Sequence, residues 1–449
     1  MDTKKLRQKI LDLAIRGKLV PQDPNDEPAS VLLERIKAEK EQLIKDGKIK
    51  RSKKSASSDT SPYENVPFEI PESWVWTTIG DIFIHNTGKA LNAANNDGVL
   101  MDYITTSNLY WDKFDLTVVK QMLFTDTEIE KCTVKYGDLL VCEGGDIGRA
   151  AIWTYDYDVR IQNHIHRLRG FCNISHRFYY YIFLLYKMLN LIGGKGVAIQ
   201  GLSSNDLHKL VIPLPPIKEQ CRIVSIIESW FSVIDRVEQE KKDLCNAIKQ
   251  IKSKILDLAI HGKLVSQDPN DEPAIELLRR INPSFKSCDN AHYKNLPSGW
   301  SICRLEDIVD YEQPQAYIVD STDYSEDYPT PVLTAGKSFI IGYTNETDGI
   351  CDNLPVIIFD DFTTDSRFVD FPFKIKSSAM KILRVKKEID IRYVGFYMSI
   401  TRLVGDTHKR YWISEYSKLP ILIPPKAEQE RIVQTVTDLL GKLDNIIAE

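Results

Sequence analysis

Apolar side chains recur along this chain at a spacing typical of coiled-coil helices. Over residues 223–258 they follow one another at steps of four and three, and only Lys241 interrupts the series. The same spacing occurs over residues 432–446, and a shorter series covers residues 6–13. Because a heptad seam is buried against a partner helix, the pattern predicts long helices packed as a coiled coil. The predicted coiled-coil and subunit interface consists of Ile223, Ile227, Trp230, Ile234, Leu244, Ile248, Ile255, Ile432, Val436, Leu439 and Leu443.

These helical segments belong to an internal repeat. Residues 9–29 read KILDLAIRGKLVPQDPNDEPA and residues 254–274 read KILDLAIHGKLVSQDPNDEPA, so that only two positions differ. A second pair consists of residues 209–224, KLVIPLPPIKEQCRIV, and residues 418–433, KLPILIPPKAEQERIV. Repetition of this kind indicates two equivalent structural units. Gly17 and Gly262 predict the C-terminal caps of the first and central helices, and the Pro-Pro pairs 215–216 and 424–425 predict the entries of the central and last helices.

The order of the repeats predicts a helical frame that is divided between the two chain ends. The central helix is expected over residues 219–262. Its first part is repeated by residues 428–449, and its second part by residues 1–17. We therefore expect the termini to lie close together, with the split helix packed antiparallel against the central helix and a pseudo-twofold relation between the halves.

Two blocks of mixed pattern lie between the helical segments. Each opens with a Pro-x-x-Trp sequence and closes on a Pro-Pro pair, while their interiors have little sequence in common. In the first block, residues 137–153 (GDLLVCEGGDIGRAAIW) predict a strand, a glycine turn and a strand, followed by an aromatic-rich helix over residues 178–192. In the second, residues 354–359 predict a strand and residues 391–403 the equivalent helix.

The predicted fold class is therefore α+β, with two mixed α/β domains separated by an antiparallel coiled coil of long helices. The predicted division is an N-terminal helix with a linker (1–65), the first domain (66–217), the central helix with a linker (218–295), the second domain (296–425) and a C-terminal helix (426–449).

Charge and cysteine usage limit the possible partners and sites. The net charge is −5, and the segments 1–65, 66–217, 218–295, 296–425 and 426–449 carry +4, −3, +1, −5 and −2. No segment is strongly basic, so any nucleic-acid-binding surface must be local. The eight cysteines never form a C-x-x-C pair and the eight histidines offer one close pair, which predicts reduced thiols in a cytoplasmic protein and no metal site. No apolar run is long enough to span a membrane.

The sequence does not favour an enzyme. A methyltransferase would need a glycine-rich cofactor loop after a strand and an Asn/Asp-Pro-Pro-aromatic motif, and neither occurs. The glycine-rich residues 193–201 (GGKGVAIQG) do not match a phosphate-binding loop and predict a turn. A nuclease would need clustered carboxylates for a metal, and the notable pair, Asp360 and Asp361, is predicted to lie in a turn.

The two repeated Pro-Pro segments, the Pro-x-x-Trp openings and the GDLLVCEGGDIGRAAIW turn resemble the specificity subunit of type I restriction-modification systems, as does the LDLAI-x-GKLV-x-QDPNDEPA segment. The resemblance covers essentially the whole chain. It implies two target-recognition domains held apart by an antiparallel coiled coil, each reading one half of a split, non-palindromic target in double-stranded DNA. It also implies two methylation subunits on the coiled-coil frame and restriction subunits that join them. S-adenosylmethionine, ATP and Mg²⁺ are then expected on these partners, and no cofactor on this chain.

Candidate DNA contacts follow from composition, because base edges and phosphates are read by Arg, Lys, Asn, Gln and small polar side chains. Such residues cluster on predicted loops, where the alternative is an ordinary polar surface. The candidates are Lys89, Asn92, Asn95, Asn96, Arg149, Gln162, Asn163, Lys195, Gln200, Gln313, Gln315, Tyr317, His408, Lys409, Arg410 and Tyr411.

Two other functions remain open at this point. The chain could be a coiled-coil scaffold with two protein-binding domains, or the specificity module of another methyltransferase system.

Overall fold

The computed structural model describes residues 2–49, 66–91, 97–192, 202–287, 296–336, 338–403 and 409–448. The chain forms two compact units, Met1–Glu240 and Lys241–Glu449. Both units combine helices with sheets, and one helix of 44 residues runs from the first unit into the second. The predicted mixed α+β fold with two domains and a long helix is confirmed.

The first unit begins with two helices and continues with a mixed domain. In chain order it contains α1 (Thr3–Ile15), α2 (Ala29–Lys45), β1 (Val75–Thr78), α3 (Ile79–Ile82), β2 (Phe83–Thr87), β3 (Val99–Ile104), β4 (Leu109–Tyr110), β5 (Lys113–Phe114), β6 (Lys120–Phe124), α4 (Asp126–Cys132), β7 (Thr133–Val134), β8 (Leu139–Cys142), β9 (Ala150–Ile152), β10 (Val159–Ile161), β11 (Ile165–Gly170), α5 (His176–Met188), α6 (Ser204–Lys209), β12 (Val211–Leu214) and α7 (Ile217–Ile260).

The second unit takes up the last part of α7 and repeats the plan. It contains α8 (Ala274–Ile281), β13 (Ser301–Arg304), α9 (Leu305–Ile308), β14 (Val309–Glu312), a 3₁₀ helix (Pro314–Tyr317), β15 (Thr330–Leu333), β16 (Ile340–Thr344), β17 (Val356–Asp360), β18 (Ser366–Val369), β19 (Lys374–Ile375), β20 (Met380–Val385), α10 (Ile391–Ile400), a second 3₁₀ helix (Tyr416–Lys418), β21 (Pro420–Ile423) and α11 (Lys426–Ala448).

The two domains share most of their sheet topology, although the second sheet has four strands in the first domain and three in the second. The first has a sheet in the order β2-β11-β8-β9, and the second has β14-β20-β17-β18. The second sheet is β6-β3-β10-β7 in one and β16-β15-β19 in the other, with the pairs β3–β10 and β15–β19 both parallel. An antiparallel pair, β1–β12 or β13–β21, joins the beginning of each domain to its end. The interiors that differ in sequence therefore follow one hydrogen-bonding plan.

Glycines end the repeated helices as predicted. Gly17 and Gly262 have φ angles of +66° and +65°, in the left-handed region that glycine adopts without steric cost. The amide of the next residue donates back to the preceding helical turn, from Lys18 to the Leu13 carbonyl at 2.8 Å and from Lys263 to the Leu258 carbonyl at 2.9 Å. This is the hydrogen bond of a glycine-terminated helix.

Each unit contains an antiparallel pair of frame segments. In the first, Arg7 of α1 contacts Asp235 of α7 at 2.6 Å, whereas Asp26, after α1, contacts Arg222 at 2.6 Å. In the second, Lys252 of α7 pairs with Asp444 of α11, and Asp271 pairs with Arg431 at 2.6 Å. The contacts proceed in opposite directions along the two partners, as the split-frame prediction requires within each unit.

The coiled-coil seam is buried over only part of its predicted length. Ile223, Ile227, Ile234, Ile248, Ile432 and Val436 are buried, and Ile255, Leu439 and Leu443 are half-buried. Trp230 and Leu244 lie outside the buried seam of this chain, with exposed fractions of 51% and 47%, and their place in a subunit interface stays a prediction. At 3.6 residues per turn, Trp230 lies roughly 40–60° around the helix from Ile227 and Ile234. Trp230 therefore lies on the exposed side of the helix, with Ile226, Val233 and Val237, and not on its buried face.

No helix within the described ranges is both long and apolar enough to cross a membrane.

Candidate nucleic-acid interface

In the first domain, the predicted DNA-reading stretches meet at one edge of the sheet β2-β11-β8-β9. Thr87, at the end of β2, pairs with His166 at the start of β11. The end of β8 and the start of β9 lie at the same edge, since Cys142 pairs with Ile165 and Val141 with Ala150. Antiparallel pairing therefore gathers three connections at this place. We call residues 88–91, 143–149 and 162–164 the first loop edge.

The end of α5 and the start of the segment before α6 adjoin the same edge. The Lys187 ammonium donates to the Ile147 carbonyl at 3.1 Å and pairs with Asp146 at 2.8 Å. The ring of His166 donates from Nε2 to the Leu202 carbonyl at 2.7 Å. Stretches that are far apart in the sequence thus converge on one surface.

The second domain gathers its loops at the equivalent edge. Met380, at the start of β20, pairs with Asp360 at the end of β17. The amide of Tyr411 donates to the Asp361 carbonyl at 2.9 Å, and the amide of Trp412 donates to its carboxylate at 2.7 Å. We call residues 313–317, 361–365 and 409–412 the second loop edge.

Arg149 is the main described cation among the candidates of the first loop edge. It is half-buried, donates from one terminal nitrogen to the Thr106 carbonyl at 2.6 Å, and lies over the ring of Tyr110 at 5.3 Å from the centroid. Gln162 and Asn163 are half-buried in the connection before β11. DNA contact by these three residues stays a prediction.

Lys89 does not have the exposed ammonium that a DNA contact requires, and this corrects the prediction. Its exposed fraction is 9%, and the ammonium donates to the Leu123 carbonyl and to Glu128, both at 2.7 Å. Hydrogen bonding from Lys89 holds the pKa of Glu128 below its usual value. The side chain supports the sheet from inside, because a buried ammonium needs a partner of opposite charge.

In the second domain, Gln313 and Gln315 are exposed, and Gln313 accepts from the Lys381 ammonium at 2.8 Å. The half-buried Tyr317 donates to Glu312 at 2.9 Å, and this carboxylate raises the pKa of the phenol. Lys409 and Arg410 are exposed. Lys409 pairs with Glu415.

Arg410 lies over the Phe362 ring at 5.8 Å from its centroid. Tyr411, by contrast, is 3% exposed in the core beneath the second loop edge, and its prediction as a surface contact is corrected. The remaining candidates Asn92, Asn95, Asn96, Lys195, Gln200 and His408 lie outside the described residues.

The sequence pattern did not predict a pair of histidines that lies beneath the first loop edge. Because Nε2 of His166 donates to a carbonyl, its Nδ1 must accept, and His85 Nε2 donates to it at 3.0 Å. Burial lowers the pKa of His85 to about 3 and also lowers that of His166. Both rings are therefore neutral near pH 7, and they tie β2 to β11 and to Leu202.

A repeated cluster of polar side chains joins each domain to its frame helix. In the first unit, Trp74 donates to Glu219 at 3.0 Å and Gln22 donates to the same carboxylate at 2.6 Å. Burial raises the pKa of Glu219. In the second unit, Trp300 and Gln267 donate to Glu428 at 2.9 and 3.2 Å. The repeated Trp, Gln and Glu residues thus have a structural role.

Asp360 and Asp361 lie at the predicted turn, and both are used within the protein. The Asp360 carboxylate accepts the amides of Phe362 and Thr363, while Asp361 is 2% exposed. Within the described ranges, no three His, Cys, Asp or Glu side chains are grouped so that they could hold a metal ion.

Comparison with known proteins places this geometry in context. A family model described as "Type I restriction modification DNA specificity domain" matches residues 71–246 and 297–448. The chain is 26% identical over 550 aligned residues to the type I restriction enzyme EcoAI specificity subunit of Escherichia coli, covering 99% of this chain and 90% of that protein. It is 45% identical over 154 residues to the EcoR124I/EcoR124II specificity subunit of Escherichia coli, covering 32% and 38%.

A solved structure shares the fold. It is described as "Structural basis underlying complex assembly and conformational transition of the type I R-M system", has a TM-score of 0.58 and is 17% identical in sequence. The match covers 85% of this chain and 94% of that chain.

Proposed function

The chain belongs to the type I restriction-modification DNA specificity family, and from this premise we propose that it reads double-stranded DNA for methylation and restriction subunits. The observation that carries the proposal is the convergence of the candidate loops at one sheet edge in each domain. Loops on a rigid sheet present donors and acceptors in a fixed arrangement, as base reading requires.

The electrostatics of the loop edges support this proposal although the chain is acidic overall. Three aspartates at the edges have cationic partners within the protein: Asp146 pairs with Lys187, Asp361 lies 3.6 Å from Lys381, and Asp365 pairs with Arg402 at 2.7 Å. Each edge also presents an arginine over an aromatic ring. A guanidinium held in this way is suited to guanine, whose O6 and N7 accept two parallel hydrogen bonds.

Two edges of different composition support a split, non-palindromic target. Each domain would read one half, because each has its own sheet and its own loop edge. The repeated frame supports two copies of the methylation subunit, since each unit offers an equivalent helical pair. In this proposal S-adenosylmethionine binds to the methylation subunits, ATP and Mg²⁺ bind to the restriction subunits, and this chain carries out no chemical step.

Methylated-base mapping tests the proposal directly. A host genome should lose methylation at one split sequence when the gene is deleted and regain it when the gene is restored. Binding of the full chain to duplexes of that sequence, measured with and without the methylation subunits, should show the same preference. Unchanged methylation after deletion would contradict the proposal, and would favour a scaffold with two protein-binding domains.

The absence of catalysis is tested with the purified chain. Incubation with labelled S-adenosylmethionine and host DNA should give neither methyl transfer nor cleavage. Methyl transfer by the single chain, free of partner subunits, would show that the assignment is wrong.

A further inference from the structure

The first domain contains an insertion that the second domain lacks. Residues 105–119 connect β3 to β6 and include the hairpin β4–β5, whereas the six residues 334–339 connect the equivalent strands β15 and β16. The strands on either side of the connection pair antiparallel in both domains. The insertion therefore adds surface to a shared framework and is not required to complete it.

The insertion packs directly against the first loop edge. The amide of Asp112 donates to the Ala150 carbonyl at 3.1 Å, at the start of β9. The Trp111 indole donates to Asp146 at 3.2 Å, and the Arg149 guanidinium donates to the Thr106 carbonyl at 2.6 Å. The hairpin and the glycine turn thus form one continuous surface.

Two cations on this surface form no ion pair within the part of the chain that the structure describes: Lys113, which is exposed, and Arg149. Asp112 pairs with Arg177 and Asp146 pairs with Lys187. Asp115 accepts from Thr117, and these hydrogen bonds together with the nearby charge of Lys113 lower its pKa. Between the cations lies the 40% exposed Tyr110, whose ring centroid is 5.8 Å from the Lys113 ammonium and 5.3 Å from the Arg149 guanidinium. The surface combines two cations that are outside ion pairs with an exposed aromatic ring.

Arg177 ties the insertion to the long helix. It is the second residue of α5, and it pairs with Asp112 of the hairpin and, at 2.9 Å, with Glu228 of α7. Burial lowers the pKa of Arg177, but the hydrogen bonds that its guanidinium donates to both carboxylates raise the pKa above its usual value. The equivalent second residue of α10, Arg392, pairs with Asp390 at 3.0 Å and has a side chain that is 51% exposed. The ion pair between α5 and the long helix thus occurs in the domain that contains the insertion.

We propose that residues 105–119 and the adjoining glycine turn together form a DNA-contacting element of the first domain. In this element Lys113 of the insertion contacts a phosphate and Arg149 of the turn reads a guanine, while Arg177 of α5 is a positioning residue. The proposal rests on the function proposed above. Arginine is the usual reader of guanine, and its guanidinium is oriented here by a carbonyl and a ring. An exposed lysine is a common phosphate contact.

The experiment uses the full chain assembled with its methylation subunits. A pool of randomised duplexes is first captured and sequenced to define the preferred split sequence. Binding is then measured on this duplex and on duplexes in which either half is altered. Arg149→Gln should weaken binding to the preferred duplex by about 5- to 150-fold and relax one position in one half. Lys113→Gln should weaken binding to all duplexes alike and reduce the salt slope by about one.

Arg149→Lys covers the case in which Arg149→Gln fails to fold. It keeps the charge and one hydrogen bond but cannot form two parallel bonds to guanine. We expect a folded complex that has lost preference at the same position. Retained affinity and retained preference in this variant would overturn the role of Arg149.

Arg177 is tested by comparing the two halves of the target. Arg177→Gln should reduce discrimination in the half that Arg149 reads, while the other half is read as before. Arg392→Gln is the matched control at the equivalent position and should alter neither half. Equal loss in both halves would overturn the positioning role, because general destabilisation affects the whole complex.

The outcomes separate this inference from the proposed function. If the unmodified complex selects a split sequence and neither Arg149 variant nor Lys113→Gln changes it, the insertion is not a contact element and the proposed function stands. If the unmodified complex selects no sequence, the proposed function is refuted and the inference with it.

Discussion

The two domains share a sheet plan but differ where that plan reaches the loop edges. The first domain has a seven-residue turn at residues 143–149 and an insertion at residues 105–119, whereas the second joins β17 to β18 through the five residues 361–365. Strand order is fixed by hydrogen bonding and core packing, and both are satisfied without the loops. The comparison shows that the frame tolerates different surfaces at the same edge.

The domains also differ in the buried polar groups beneath those edges. His166 of β11 and Lys381 of β20 occupy equivalent positions, each one residue after the partner of the last residue of β8 or β17. His166 is neutral and accepts from His85, whereas Lys381 lies 3.6 Å from Asp361, with the two side chains 1% and 3% exposed. One position is therefore satisfied by neutral hydrogen bonds in the first domain and by an ion pair in the second.

Of the changes considered, exchange of a whole domain should have the largest effect on the recognised target. Replacing residues 71–213 by the equivalent block of a related subunit should change one half of the methylated target and leave the other half unchanged, because each domain has its own core. Methylation mapping of cells that carry the hybrid provides the measurement. Replacing residues 297–422 is the reciprocal control. A hybrid that changes both halves would show that the domains do not read independently.

Removal of the buried ammonium beneath the second loop edge should lower the free energy of unfolding. Lys381→Met leaves Asp361 without its ionic partner, and breaking a buried ion pair typically costs about 3–5 kcal/mol. We expect a loss of this size in the free energy of unfolding by denaturant. Lys386→Met provides the control, since its ion pair with Asp310 is exposed. A loss below about 1 kcal/mol, the range of exposed pairs, would show that Asp361 is satisfied by backbone amides alone.

Periodicity and repetition predicted the helices and strands whose apolar spacing can be recognised within one short stretch of the sequence. The strand, turn and strand of residues 137–153 are β8, the glycine turn and β9, and the predicted aromatic helix is α5. The predicted second-domain strand and helix are β17 and α10, with boundaries shifted by up to three residues. The common sheet order of the two interiors was missed, because different apolar side chains satisfy the same backbone hydrogen bonds.

Side-chain burial at the loop edges could not be predicted in this way. Lys89 and Tyr411 belong to polar stretches, but their partners Glu128 and Asp361 lie 39 and 50 positions away. A linear pattern does not specify such contacts. The exposure of Trp230 and Leu244 could not be predicted for a related reason: heptad spacing identifies an apolar stripe but not the part of it that is buried within the chain.

The second loop edge should depend on Arg410 for affinity. Arg410→Ala should weaken binding of the complex to its target by about 1–3 kcal/mol if the guanidinium reads a guanine, with relaxed preference in the half read by the second domain. Titration of labelled duplexes gives the affinity. Arg279→Ala, at an exposed arginine of α8 that pairs with Glu276, is the control. Unchanged affinity and preference would remove Arg410 from the candidate contacts.

The neutral histidines should make the stability of the first domain sensitive to acid. The pKa of His85 is about 3 in the folded chain, chiefly because of burial and then because of His166, against about 6.5 when unfolded. The unfolded chain therefore binds more protons, so this contribution to stability is complete above about pH 6.5 and is lost as the pH falls towards 3. At pH 5 the loss should be about 2 kcal/mol.

In His85→Gln the amide can still donate to His166 but does not titrate, so denaturation at pH 7 and pH 5 should show a smaller loss than in the unmodified chain. His164→Gln, at an exposed ring, should behave like the unmodified chain. If both variants lose the same stability between these pH values, the buried pair is not the source of the acid sensitivity.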